Sequence, residues 1–324
     1  PAGSYVVSLA QPKMGVVKNL LGRTIYPETL WTWERDGNPS RPQDSATDTM
    51  YEFMGVRVDP VATAPTGDLE KLSGYVELSG DVSGNARNGY LLDGRLNDSF
   101  KAVNLLLGKG VAVKRVDKAG QGTQPGDFVV ASGSEEALQD VAKQTGVDFT
   151  GLQGAPGETH ELEPQRIGMY QRYWGGNMDE GWTRFVLEQF EFPYTTMMDE
   201  PFKRGGLKAQ FDVIILPDDS TAAIIGNMTE ERPGRPLPPY PPEYRSGIGE
   251  EGVEAIKTFV EEGGTLITLG AASEFAIEKL GLPIRNATKG MAPKEFYCPG
   301  STLKAKFAKD HPLAYGMPSE GLLF

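Results

Sequence analysis

The stretch Arg166–Ser220, RIGMYQRYWGGNMDEGWTRFVLEQFEFPYTTMMDEPFKRGGLKAQFDVIILPDDS, decides the fold class of this 324-residue chain. Ile167, Met169 and Tyr170 make a short apolar strand. Asn177 or Asp179 offers a helix cap, and Trp182, Phe185, Val186 and Phe190 then recur at the spacing of one helical face. That spacing predicts a helix whose apolar face packs on a sheet. Tyr194–Met197 reads as a second strand. Val213–Leu216 is a continuous apolar run, the pattern of a strand covered on both faces. Strand, helix, strand, connection, strand predicts a parallel sheet, because such crossovers close right-handedly on one sheet.

Downstream, the pattern continues after a long insertion, Asp218–Gly249, that holds the Pro-rich run RPGRPLPPYPPEY; a stiff lid over the neighbouring crevice is the expected role. Val253, Ile256, Phe259 and Val260 mark a helix, Thr265–Leu269 a strand and Ser273–Leu280 a helix. Pro283–Asn286 is a further short strand, and Phe296–Phe307 a hairpin arm.

Upstream, residues 74–153 carry a second regular pattern. Gly74–Leu78 and Gly89–Leu92 read as strands. Asn97, Asp98 or Ser99 caps a helix with Phe100, Val103, Leu106 and Leu107 on one face. Val111–Val116 is a strand, Lys118–Gly126 a turn and Phe128–Ala131 a strand. Ser134 opens a helix that Gly146 closes, and Val147–Phe149 is the last strand. The order is that of a ferredoxin-like βαββαβ unit. The expected division is therefore an extended arm or linker at 1–73, the βαββαβ domain at 74–153, a Gly-, Pro- and acid-rich linker at 154–165, and a flavodoxin-like parallel α/β domain at 166–324, incomplete at its C-terminal end. Within the arm, Ser4–Leu9 reads as a strand, Val16–Leu21 as a short helix, and Trp31 and Trp33 as anchors.

Composition excludes several functions. With 44 acidic against 32 basic residues the net charge is −12, which argues against nucleic acid and against an anionic membrane surface as partners. No run approaches the roughly 20 apolar residues of a membrane helix, and the N-terminus lacks a secretory pattern. One cysteine, Cys298 in FYCPGS, rules out an internal disulfide and reads as a small buried residue.

Three constellations bear on chemistry. His160 and Glu163 have the H-x-x-E spacing of two zinc ligands, and His311 is the other histidine; the polar linker around His160 lacks the strand that would hold a ligand rigid, so no metal is expected in this chain. The turn Gly270-Ala271-Ala272-Ser273 stands where a nucleophile elbow would sit between strand and helix. It carries no thiol, no histidine lies at a triad position, and Ser273 reads as an N-cap. Tyr173, Trp174, Asn177, Asp179, Glu180 and Trp182 gather at the carboxyl end of the first strand, where open α/β sheets bind ligands. An aromatic and acidic crevice suits a sugar, a cation or a basic peptide better than a phosphate.

Several stretches resemble the region that follows the catalytic domain in large bacterial secreted zinc carboxypeptidases of the funnelin type. They are GSYVVSLAQPK at 3–13, MGVRVD at 54–59, NGYLLDGRLNDSFKAVNLLL at 88–107, NMDEGWTRFVLEQFEFPY at 177–194, FDVIILPD at 211–218, GGTLITLGAASEF at 263–275, and FYCPGSTLKAKF with HPLAYGMP between 296 and 318. The resemblance implies a final domain like a class I glutamine amidotransferase, degenerate at Gly270, Ala271 and Ser273. It implies that zinc belongs to an upstream peptidase domain, which would be the partner, and that the protein is secreted or periplasmic. A non-catalytic accessory role follows as the leading expectation, with homo-oligomers possible. A stand-alone module binding a sugar or peptide at Tyr173–Trp182 is one alternative, and a hydrolase with an unrecognised site is another.

Overall fold

The computed structural model describes residues 3–22, 32–40, 51, 54–173, 177–228, 230–232, 235–236, 240–241, 244–298 and 303–323. The chain divides into two units, Pro1–Val76 with Ala287–Phe324, and Glu77–Asn286. In the first, helix α1 (Met14–Leu21) forms where the periodicity places it, and Gly22 donates its N–H to Lys18 O at its end. Ser4–Leu9 is not a strand; its residues are exposed, with no strand beside them among the described residues. Trp33 is half-exposed and bridges to Pro39 rather than anchoring a core, and Trp31 lies outside the described residues.

The second unit is mixed α/β; among the described residues it contains a six-stranded sheet, a four-stranded sheet and a two-stranded ladder. The first comprises β1 (Val82–Ser83), β2 (Tyr90–Leu92), β3 (Val113–Ala119), β4 (Phe128–Val130), β5 (Phe149–Gly151) and β6 (Gly157–Glu161), in the order β1-β5-β2-β4-β3-β6. Only the β1–β5 pair is parallel. Helices α2 (Asn97–Gly108) and α3 (Glu135–Thr145) enclose a core with Leu92, Leu106, Phe128, Leu138 and Phe149. Gly146 ends α3 at φ 72°, a left-handed turn that a side chain would strain.

Local expectations shift here in four places. Gly74–Leu78 forms no strand; the first strand is β1, held by its parallel pairing with β5. The last expected strand moves from Val147–Phe149 to Phe149–Gly151, because Tyr90 and Leu91 pair with Gly151 and Thr150. Neither Asn97, Asp98 nor Ser134 makes a side-chain cap: Leu96 stands at the α2 N-cap, and Ser99 donates its hydroxyl to Asp93 O at 2.6 Å. Gly157–Glu161, read from composition as linker, is the edge strand β6. It pairs with β3 and extends that strand to Ala119, into the expected turn. Its residues are polar on both faces and leave no hydrophobic period to read, while its charge suits an exposed edge.

The second sheet follows the order β12-β9-β7-β8 and is parallel throughout. It is built from β7 (Ile167–Tyr170), α4 (Met178–Gln189), β8 (Tyr194–Met197), α5 (Asp199–Arg204), β9 (Val213–Leu216), α6 (Thr221–Ile225), a two-strand ladder of β10 (Glu230–Arg232) and β11 (Arg235–Pro236), α7 (Gly249–Glu261), β12 (Thr265–Thr268) and α8 (Ala272–Lys279). At its lower rim Arg166 binds Asp212 through Nε at 2.9 Å and Nη2 at 2.7 Å, and Arg166 Nη1 donates to Ala209 O at 2.7 Å. This clamp ties the start of β7 to the start of β9.

The two faces are covered unequally. Phe202, Leu207, Ile214, Leu216, Ile224, Ile256, Phe259 and Phe275 form a continuous core under α5–α8. On the other face, among the described residues, Ile167, Met169 and Ile215 are buried together, with Leu187 of α4 and Phe192, Tyr194, Val213 and Leu269 packed half-buried against them. The expectation that Trp182, Phe185 and Val186 pack on the sheet is overturned. They are 65%, 50% and 52% exposed, and Met178 is 81% exposed. The inward stripe of α4 is Glu180, Thr183, Arg184 and Leu187 instead, buried or half-buried. Both stripes have helical spacing, and the more polar one faces in.

After α8, Pro283–Asn286 is exposed and forms no strand. In the first unit β13 (Leu303–Lys306) pairs antiparallel with β14 (Glu320–Leu323), so the expected Phe296–Phe307 arm contributes one strand of that ladder.

Candidate functional site

In the order β12-β9-β7-β8 the chain reverses direction of build between β7 and β9, and the crevice beyond their carboxyl ends is where an open α/β sheet offers a site. Arg172 follows β7 by two residues, and Asp218 and Asp219 follow β9. Arg172 Nη1 donates to Asp219 Oδ1 at 3.1 Å and lies 3.0 Å from Oδ2; the two side chains are 15% and 12% exposed. Burial pushes the Asp219 carboxyl above the ordinary carboxylate range. Arg172 opposes that shift, and the charges of Asp218 and Asp179 add to it. A pair this enclosed costs desolvation that its attraction only partly returns, so it specifies geometry more than it stabilises.

Other contacts fix the walls. Tyr170, at the end of β7, donates its hydroxyl to Asp199 Oδ1 at 2.9 Å, and Gly247 N donates to Asp199 Oδ2 at 3.0 Å. One carboxylate thereby ties β7, α5 and the loop before α7 together. Burial, and then the Asp199 charge, pushes the Tyr170 hydroxyl well above the phenol range. Asn177 Oδ1 accepts from Asp179 N at 3.0 Å and Glu180 N at 3.4 Å, capping α4, while its Nδ2 donates to Asp218 O at 2.9 Å. Tyr173 meets Tyr244, from the end of the Pro-rich insertion, with ring centroids 5.5 Å apart.

The six expected site residues are only partly brought together. Tyr173 meets Tyr244 and Asn177 caps α4, both beyond the carboxyl end of β7, and Asp179 is exposed in the first turn beside them. Glu180 is 3% exposed; its Oε1 has no hydrogen-bond partner among the described residues, and Oε2 is 3.6 Å from Arg184 Nη2. Trp182 stands on the outer face of α4, edge-on to Phe185 at 6.0 Å, and does not join Tyr173. Trp174 lies outside the described residues. Arg172, Asp199, Asp218 and Asp219 are the residues that sequence reasoning missed. The available signal was position: each follows a strand at its carboxyl end.

At the elbow, Gly270 has φ 52°, and a Cβ there would run into the Asp218 carboxylate, whose Oδ1 accepts from Ala271 N at 2.6 Å. Ser273 is not the cap: Ala271 holds that position, and among the described residues Ser273 Oγ meets Thr268, 3.4 Å from its hydroxyl and 3.5 Å from its carbonyl. No general base reaches that hydroxyl among the described residues. His160 lies on β6, not in a loop, with Nδ1 2.8 Å from Asp117 Oδ2. His311 Nδ1 accepts from Leu313 N at 3.2 Å. No group of three or more His, Cys, Asp or Glu is placed to hold a metal among the described residues, and no helix among them is long and apolar enough to cross a membrane. Cys298 is half-buried rather than buried.

Comparison of this chain with models of protein families, with curated proteins and with solved structures returned no match.

Proposed function

We propose that this chain is a non-catalytic accessory region of a secreted or periplasmic zinc-dependent carboxypeptidase, packing on the peptidase domain or restricting access to it. The observation that carries the reading is the bare apolar stripe of α4, Met178, Trp182, Phe185 and Val186, all at least half-exposed. A free-standing domain rarely leaves so contiguous a patch uncovered. The order β5-β2-β4-β3 with helices after β2 and β4 supports the ferredoxin-like reading of the first sheet. The order β8-β7-β9-β12 supports the flavodoxin-like, amidotransferase-like reading of the second. The turn at Gly270–Ser273, lacking both a thiol and a base, fits a domain that has kept the scaffold of an amidotransferase and not its chemistry.

Mass, zinc content and peptide hydrolysis of the protein isolated from its source test this. A polypeptide well beyond 324 residues carrying about one zinc and releasing C-terminal residues from peptides is expected, with the 324-residue chain alone inert in the same assay. Hydrolysis by the chain alone, or a native protein of this length without zinc, would sink the proposal.

A second reading rests on the strand ends: buried Glu180, with one oxygen unpartnered among the described residues, the buried Arg172–Asp219 pair and the Tyr173–Tyr244 contact suit a small cationic ligand such as the end of a basic peptide. Stabilisation against heat by lysine- or arginine-terminated dipeptides, but not by neutral disaccharides, would support it.

A further inference from the structure

The parallel sheet β12-β9-β7-β8 ends on one side in β12, and the backbone directions along that strand fix what its rim offers. In a parallel pair, alternate residues turn their N–H and C=O toward the neighbouring strand. Thr265 N donates to Asp212 O at 2.9 Å and Leu269 N to Leu216 O at 3.0 Å, so Thr265, Ile267 and Leu269 face β9. Leu266 and Thr268 therefore turn their backbone groups away from the sheet. Within the Glu77–Asn286 unit, among the described residues, no other backbone group bonds to them, and Thr268 O meets the Ser273 hydroxyl at 3.5 Å.

Open rims are ordinarily blunted by charge, proline or shortness. The other rims of this unit carry those devices. Strand β1 has two residues, β6 carries exposed Glu158 and Glu161, and β8 is entered through Pro193 and flanked by exposed Glu191 and Glu200. Strand β12 reads Thr-Leu-Ile-Thr, uncharged, without proline and in unbroken register with β9. Its Ile267 is 40% exposed. Helix α8, which follows, leaves the approach in the plane of the sheet clear, since its Ala272 and Phe275 are buried in the core on the face that Leu266 joins.

We infer that β12 joins two copies of this chain, the paired strands running antiparallel about a two-fold axis at Ile267. The strand is its own complement in that register. Leu266 of each copy exchanges both N–H···O bonds with Thr268 of the other, which satisfies the outward backbone groups of both residues. Ile267 then lies opposite its counterpart in the close, non-hydrogen-bonded pair that β-branched side chains stabilise. Charge fits the same pairing. Glu261 and Glu262 precede β12, whereas residues 269–273 after it carry no charge, and antiparallel pairing sets the first flank against the second. In β8 the same operation would bring Glu191 toward Glu200. A two-fold also closes on itself, each rim covering the other. This association goes beyond the accessory reading and does not depend on it.

The test measures the mass of the 324-residue chain by sedimentation from about 1 to 200 μM, since so small a paired rim predicts a reversible dimer with a dissociation constant on the order of 10 μM. Ile267→Lys sets like charges opposite each other at an exposed position. It should weaken the dimer at least about tenfold while leaving the circular dichroism and melting temperature of the dilute chain unchanged. Register is read by cross-linking with copper phenanthroline in air, in a Cys298→Ser background. Ile267→Cys should give a covalent dimer, its two Cα atoms lying about 4.5 Å apart, whereas Thr265→Cys should not, its two copies being about 13 Å apart. The cysteine pair still decides the matter if the lysine variant fails to fold. A chain monomeric throughout that range, a dimer indifferent to Ile267→Lys, or cross-linking as fast at residue 265 as at 267 would each overturn the inference.

Discussion

The Arg166–Asp212 clamp shows how much one pair can organise. Hydrogen bonds from the Arg166 guanidinium, and then from its backbone N–H, hold the Asp212 carboxyl well below the usual carboxylate range. A depressed folded-state value means that the contribution to stability is complete above the unfolded value of about 3.9 and is lost as pH falls through the folded one. Asp212→Asn should therefore destabilise by about 1 kcal/mol at neutral pH, a charged hydrogen bond discounted for the 28% exposure of the side chain. The gap between wild type and variant, read from urea melts, should close as pH is lowered below about 4. A gap of constant size across that range would show that the carboxylate charge is not what holds the rim. Gly168, in the middle of β7, makes the complementary point for packing. A methyl there would press on Met197 Sδ and the Phe211 ring, so Gly168→Ala should cost about 1–3 kcal/mol in the same melts. Neither effect is visible in the local sequence, because Asp212, Met197 and Phe211 meet β7 only through the sheet.

Among the elements, α4 separates what was legible from what was not. Its start at Asn177 was readable, since a capping residue ahead of a helical period is a local signal. Its orientation was not. The sequence contains an apolar stripe at Met178, Trp182, Phe185 and Val186 and a mixed one at Glu180, Thr183, Arg184 and Leu187, and hydropathy alone favours burying the first. The cap also turns one loop toward the crevice, through Asn177 Nδ2 and Asp218 O. Asn177→Ala should lower stability by about 1 kcal/mol, and Asn177→Asp should restore most of that, because its carboxylate still accepts from the helix N–H groups while losing only the bond to Asp218 O. Urea melts of the two variants decide it; equal loss in both would place the value of Asn177 in the crevice bond and not in the cap. Edge strand β6 is the other element hidden from sequence reading, because polar residues on both faces carry no period.

For the Glu77–Asn286 unit, the bare outer stripe of α4 has a direct consequence. The isolated, folded 324-residue chain should raise the emission of an apolar dye such as anilinonaphthalene sulfonate at neutral pH, and Phe185→Gln with Val186→Gln should remove most of that signal without shifting the melting temperature by more than about 2 °C. Dye emission insensitive to the double variant would place the exposed apolar surface elsewhere. By itself the sequence determined the α/β class, the strands β7, β8, β9 and β12, helices α2, α3, α7 and α8 at their cores, and the Gly146 stop, because each is written in neighbours a few residues apart. Tertiary structure alone decided the edge strand, the face that α4 turns inward, and the meeting of Arg172 with Asp219, 47 residues apart. Those outcomes depend on strand order and on which surface other elements have already occupied, and neither is a property of any local window of residues.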